Sequence, residues 1–100
     1  MVKHIVMWTL RESAGGRTAA DNALEVKSQL EGLRGLVDGM LLLEVGVDFS
    51  RTPSSADVAL YSEFTDRAAL AAYATHPDHI AAGDFIKTVC VDRIVADYDV

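Results

Sequence analysis

Tyr73, His76, Asp78 and His79 stand close together within the stretch Tyr-Ala-Thr-His-Pro-Asp-His-Ile-Ala-Ala-Gly-Asp-Phe, which runs from Tyr73 to Phe85 and holds two of the three histidines. Imidazoles exchange protons near neutral pH, and a phenol donates a hydrogen bond across the same range. A neutral His79 could remove a proton from the carbon next to a carbonyl while Tyr73 donates to the developing enolate, the division of labour that an aldol or isomerisation step needs. The alternative is structural: His79 bonds a backbone carbonyl and Tyr73 packs its ring in the core. The third histidine, His4, lies near the N-terminus with Val6 and Trp8 as its neighbours at strand spacing. If their face meets the helices, His4, Val6 and Trp8 border the same cavity.

The elements that must position these groups follow from periodicity. Val2 to Leu10 predicts a strand with Val6, Trp8 and Leu10 on one face and Ile5 and Met7 on the other, so both faces are apolar. Arg11 to Arg17, containing Gly15-Gly16, reads as a loop. Thr18 has the spacing of a helix cap, and Ala23, Val26, Leu30, Leu33 and Val37 form one apolar stripe on the helix that follows. Gly32 and Gly35 weaken its end, and Gly39 marks the turn out. Met40 to Val47 and Asp57 to Phe64 are the next strands, separated by the polar loop from Asp48 to Ala56.

Thr65 or Asp66 caps a short helix through Tyr73. That helix must stop near His76, because a residue before proline is pushed out of the helical region. Pro77 opens another helix, with Asp78 at its positive end, and Val89 to Tyr98 is the last strand. The bend at His76-Pro77 can aim Tyr73 and His79 into one cavity, with His76 as a hinge or cap. The order is β-α-β-β-α-β, an α+β ferredoxin-like pattern filling residues 1–100 as a single domain. Helices cover one face of such a sheet. The second apolar face calls for an identical sheet from another copy, which predicts a homodimer.

Composition narrows the function further. Nine basic against fifteen acidic residues give a net charge of −6, and the basic residues are scattered, which argues against nucleic-acid binding. No segment has the length or apolarity of a signal peptide or a membrane span, so a cytoplasmic protein is expected, with no membrane partner. Cys90, the lone cysteine, reads as a small buried hydrophobe in a strand. A metal site would need several of His4, His76, Asp78, His79 and Asp84 to converge without the usual ligand spacing, so neither metal nor cofactor is expected. Asp92, Arg93 and Asp97 read as a surface ion pair or a dimer contact. Disorder is expected only near Ser13 to Gly16 and Phe49 to Asp57.

Three segments resemble the stress-responsive dimeric α/β-barrel (Dabb) domain: Val2-Lys3-His4-Ile5-Val6, then Tyr73-x-x-His76-Pro77-x-His79 with Gly83-Asp84-Phe85, and Asp92-Arg93-Ile94-Val95-Ala96-Asp97-Tyr98. The resemblance implies a ferredoxin-like protomer whose sheet pairs with a second copy to form a dimeric α/β barrel. One better understood member of that family is a plant polyketide cyclase of the olivetolic acid type. It closes its substrate by aldol condensation with a tyrosine and a histidine spaced like Tyr73 and His79, and a further histidine at the position of His4. By that resemblance the substrate is a small apolar or aromatic molecule, and Ala20, Ala23 and Leu24 occupy the region of the first helix that lines the acyl pocket. Two alternatives stay open: a non-catalytic stress-responsive ligand-binding dimer, and a cofactor-free monooxygenase or isomerase on the same fold.

Overall fold

Strand β1 (Val2–Leu10) runs through the middle of the sheet, and its alternation decides what the rest can do. In a computed structural model that describes residues 1–100, Val2, His4, Val6, Trp8 and Leu10 are buried, whereas Ile5 and Met7 point to the opposite face. After β1, the segment read as a loop folds into a small hairpin, β2 (Ser13–Ala14) and β3 (Arg17–Thr18). Gly15 and Gly16 form its turn with φ of 60° and 76°, in the left-handed region that favours glycine.

Thr18 caps α1 (Ala19–Glu31), its hydroxyl accepting from the Asp21 amide at 3.2 Å. Ala23, Val26, Leu30 and Leu33 are buried along one stripe, and removing Val26 and Leu30 from water contributes about 1.5–3 kcal/mol each. The helix stops at Glu31, so Val37, which the periodicity assigned to the same stripe, lies beyond it in the turns leading to β4 (Met40–Val47). Asn22 is buried on this helix and donates to the Ala14 carbonyl at 3.2 Å, tying α1 to the hairpin.

The long loop after β4 is organised by a buried carboxylate. One oxygen of Asp57 accepts the Leu10 amide at 2.6 Å, and the other accepts from Arg51 at 2.6 Å. Ser50, Thr52 and Ser55 bond among themselves beside it. This network orders the Phe49 to Asp57 segment that composition alone marked as prone to disorder. Strand β5 (Val58–Phe64) then turns Val58, Leu60, Ser62 and Phe64 inward.

Helix α2 (Arg67–Thr75) is capped by Asp66, which accepts from the Ala69 amide at 2.8 Å. Helix α3 (Pro77–Val89) follows directly, and β6 (Cys90–Asp99) closes the chain. The four long strands lie in the order β4-β5-β1-β6 with antiparallel neighbours throughout. The helices cover one face of an open sheet, which is the ferredoxin-like architecture.

Gly39 sets the entry to β4. It has φ of 88°, and a Cβ there would sit 2.6 Å from the Thr65 hydroxyl and 2.8 Å from the Ala69 methyl. The Thr65 amide also bonds the Gly39 carbonyl at 2.8 Å, so the backbone has no freedom to move away. Gly39→Ala is expected to lower stability by about 2–3 kcal/mol. Urea denaturation checks this, and an unchanged midpoint contradicts it.

Candidate functional site

The α2–α3 junction is built by one proline. His76 adopts an extended conformation, φ −65° and ψ 137°, and serves both helices at once. Its amide bonds the Tyr73 carbonyl at 3.2 Å, and its Nδ1 accepts from the Asp78 amide at 3.0 Å. His76 is therefore a cap whose ring is occupied by the backbone. The break places Tyr73, near the end of α2, against His79, at the start of α3. Their rings meet edge to face with centroids 4.5 Å apart.

Behind this pair stand two more rings. Phe64 lies 5.3 Å and His4 6.3 Å from Tyr73, centroid to centroid. The Nδ1 of His4 is hydrogen-bonded to the Asp97 carboxylate across the β1–β6 register, and because a carboxylate only accepts, that nitrogen carries the proton. Asp97 is thus neither a free surface charge nor only an edge residue; it orients His4. Strand spacing could have shown that Arg93, Val95 and Asp97 share a face, but not that this face is the helix side, because that depends on pairing with β1.

Two polar atoms in this cluster are buried without any hydrogen-bond partner: the Tyr73 hydroxyl and the His79 Nδ1. Leaving such a group unpaired costs about 1–3 kcal/mol. Burial pushes the Tyr73 phenol up to about 12, so it remains a donor throughout the neutral range. His79 moves the other way. Desolvation holds its imidazole below the usual histidine range, the nearby Ala74 backbone, which does not reach hydrogen-bond geometry, opposes this, and the charges of His4 and Arg93 reinforce it. A neutral imidazole and a protonated phenol in ring contact are a base and a hydrogen-bond donor.

A cleft of about 330 Å³ opens beside α3, with Trp8, Leu30, His79, Ile86, Cys90 and Arg93 among the residues around it. His79 and Trp8 therefore line the opening, while Tyr73 and His4 form the layer next to them, with side chains 1% and 7% exposed as residues. Val6 is wholly buried in the core. Leu24 is 61% exposed on the outer side of α1, because Ala23 and Val26 take the core-facing positions, so it does not reach the cleft. Cys90, expected to be buried, is half-buried on the cleft wall as the first residue of β6. No three His, Cys, Asp or Glu side chains gather in a way that would hold a metal ion.

The fold defines this molecule as a ferredoxin-like α+β protein whose chemistry-bearing cluster sits between the sheet and a broken helix. The chain belongs to the stress responsive A/B barrel domain family (Dabb), whose model matches residues 2–100. A dimeric protein of unknown function and ferredoxin-like fold from Bacteroides fragilis NCTC 9343 is 33% identical, with a TM-score of 0.79 over 99% of this chain and 95% of that one. A hydroxynitrile lyase from Passiflora edulis is 16% identical, with a TM-score of 0.75 over 97% and 90% of the two chains. An antibiotic biosynthesis monooxygenase is 22% identical, with a TM-score of 0.78 over 100% and 98%. The last two share the fold, which hosts different chemistries and fixes none. No curated protein matches the chain. No helix is long and apolar enough to cross a membrane.

Because the Tyr73 hydroxyl is buried and unpaired, Tyr73→Phe is expected to raise stability by about 1 kcal/mol, the reverse of most core changes. Thermal and urea unfolding check the sign. A loss of stability would show that the hydroxyl has a partner.

Proposed function

We propose that this chain is a small-molecule-binding homodimer whose cleft catalyses proton abstraction next to a carbonyl, as in lyase or aldol-type cyclisation reactions. The observation that carries this reading is the ring contact between His79 and Tyr73, each with a buried unpaired polar atom. A structural pair would satisfy its hydrogen bonds within the protein. In the reaction His79 takes the proton and Tyr73 donates to the developing enolate oxygen, with the Asp97-held His4 packed edge-on behind the Tyr73 ring. Ring closure of a polyketide is one reaction of this class. The apolar wall formed by Trp8, Leu30 and Ile86 suits a small apolar or aromatic substrate.

The dimer follows from the other face of the sheet. Ile5, Met7, Tyr61, Ile94 and Tyr98 share that face by register, and no helix covers it. Ile94 is 60% exposed there. A second copy packed face to face removes this surface from water and completes a barrel from two open sheets. The dimeric relative from Bacteroides fragilis supports the same assembly.

Acetophenone in D2O tests the chemistry, because exchange of its methyl protons requires enolate formation and is read directly by proton NMR. The wild-type protein is expected to accelerate exchange, His79→Ala to abolish the acceleration with the fold intact, and Tyr73→Phe to reduce it by about 100-fold. Binding without exchange would establish the non-catalytic alternative. For the assembly, sedimentation at micromolar concentration is expected to show a dimer, and Ile94→Asp to shift it to monomer. A wild-type monomer overturns the dimer.

A further inference from the structure

The chain has nine lysines and arginines against fifteen acids, and most of its arginines are occupied. Arg34 bonds the Leu43 carbonyl and Glu31, Arg51 bonds Asp57, Arg67 bonds Asp99, and Arg17 reaches the Asp21 carbonyl. Arg11 and Arg93 make no ion pair and no side-chain hydrogen bond, and of the two only Arg93 borders the cleft walled by Trp8, Leu30 and Ile86. Lys87, on the same cleft, has no ion pair either. In a protein of net charge −6, these two exposed cations stand at one opening without carboxylate partners.

The register shows why Arg93 faces inward. It lies directly opposite Trp8 in the β1–β6 ladder, so both side chains project from the helix side of the sheet. Strand β6 is an edge strand, and Arg93 is exposed where it borders the opening opposite α3. Asp84 is the one carboxylate on the cleft wall. Against Lys87 and Arg93 it leaves a single positive charge, with His79 neutral.

We propose that the molecule bound in this cleft carries a carboxylate, which Arg93 receives through its planar fork while Trp8, Leu30 and Ile86 pack against the hydrocarbon body. This rests on the reading of the cleft as a small-molecule site and adds to it the class of substrate. A guanidinium matches a carboxylate with two parallel hydrogen bonds, and one net positive charge suits a monoanion. Lys87 adds a second positive charge at the opening. The arrangement leaves the reactive end of the substrate toward His79, and the anionic end is held apart by Arg93.

Trp8 is the only tryptophan and lines the cleft, so its fluorescence reports occupancy. Benzoate and benzamide differ in charge and little in shape. At low ionic strength, benzoate is expected to bind the wild-type protein about tenfold more tightly than benzamide. Arg93→Gln is expected to abolish that preference while leaving benzamide affinity and melting temperature unchanged. Arg93→Lys should restore part of the preference. Equal binding of the two probes by the wild-type protein overturns the carboxylate assignment but leaves the small-molecule cleft standing. A preference that survives in Arg93→Gln overturns the role of Arg93. Phenyl phosphate binding more tightly than benzoate overturns the choice of anion, and no response of Trp8 to any probe overturns both the assignment and the reading it rests on.

Discussion

Pro77 has no amide hydrogen, and its ring keeps the preceding residue out of the helical region. Everything in the candidate site depends on that constraint. An uninterrupted helix from Arg67 to Val89 would set Tyr73 and His79 six positions apart, on different sides of the cylinder and about 9 Å apart along its axis. The break at His76 instead starts a second helix at a new angle and brings the two rings together. The cost of ending one helix and starting another is offset locally. His76 supplies its amide to the first helix, and its ring nitrogen and carbonyl to the second.

The two unpaired atoms in this cluster run against the rest of the structure. Elsewhere, buried polar groups are satisfied: Ser62 bonds the His4 carbonyl, Asn22 bonds Ala14, and Asp57 bonds both Leu10 and Arg51. Unpaired groups held in the core by aromatic packing are a reservoir of destabilisation, and such departures from local consistency gather where function needs them. Here they lie on and just behind the cleft wall, beside a histidine kept neutral by desolvation. Phe64 packs against the Tyr73 ring, and burial shifts both groups.

Much of this was legible in the residues. The both-faced apolarity of β1, the cap at Thr18, the stop before Pro77 and the β-α-β-β-α-β order rest on local rules, which act between near neighbours. The resemblance to the Dabb family, carried by Val2 to Val6, Tyr73 to Phe85 and Asp92 to Tyr98, pointed to the same fold. What was not legible depends on pairing between distant strands. Asp97 meets His4 across 93 positions of sequence, and Arg93 faces the cleft only because it opposes Trp8. Leu24 illustrates the converse. A leucine one position from the core stripe invites assignment to a pocket, but a helix turns each successive residue by about 100° and sends it to solvent.

The central claim is that the His79 imidazole is a neutral base in ring contact with a protonated Tyr73 phenol. An NMR pH titration of the His79 ring protons, assigned by comparison with His79→Gln, measures it directly. The structure predicts a midpoint below the ordinary histidine value of 6.5, since burial and the neighbouring positive charges both disfavour protonation. A midpoint at or above 6.5 would mean that the ring is solvated or paired with an acid, and would contradict the account.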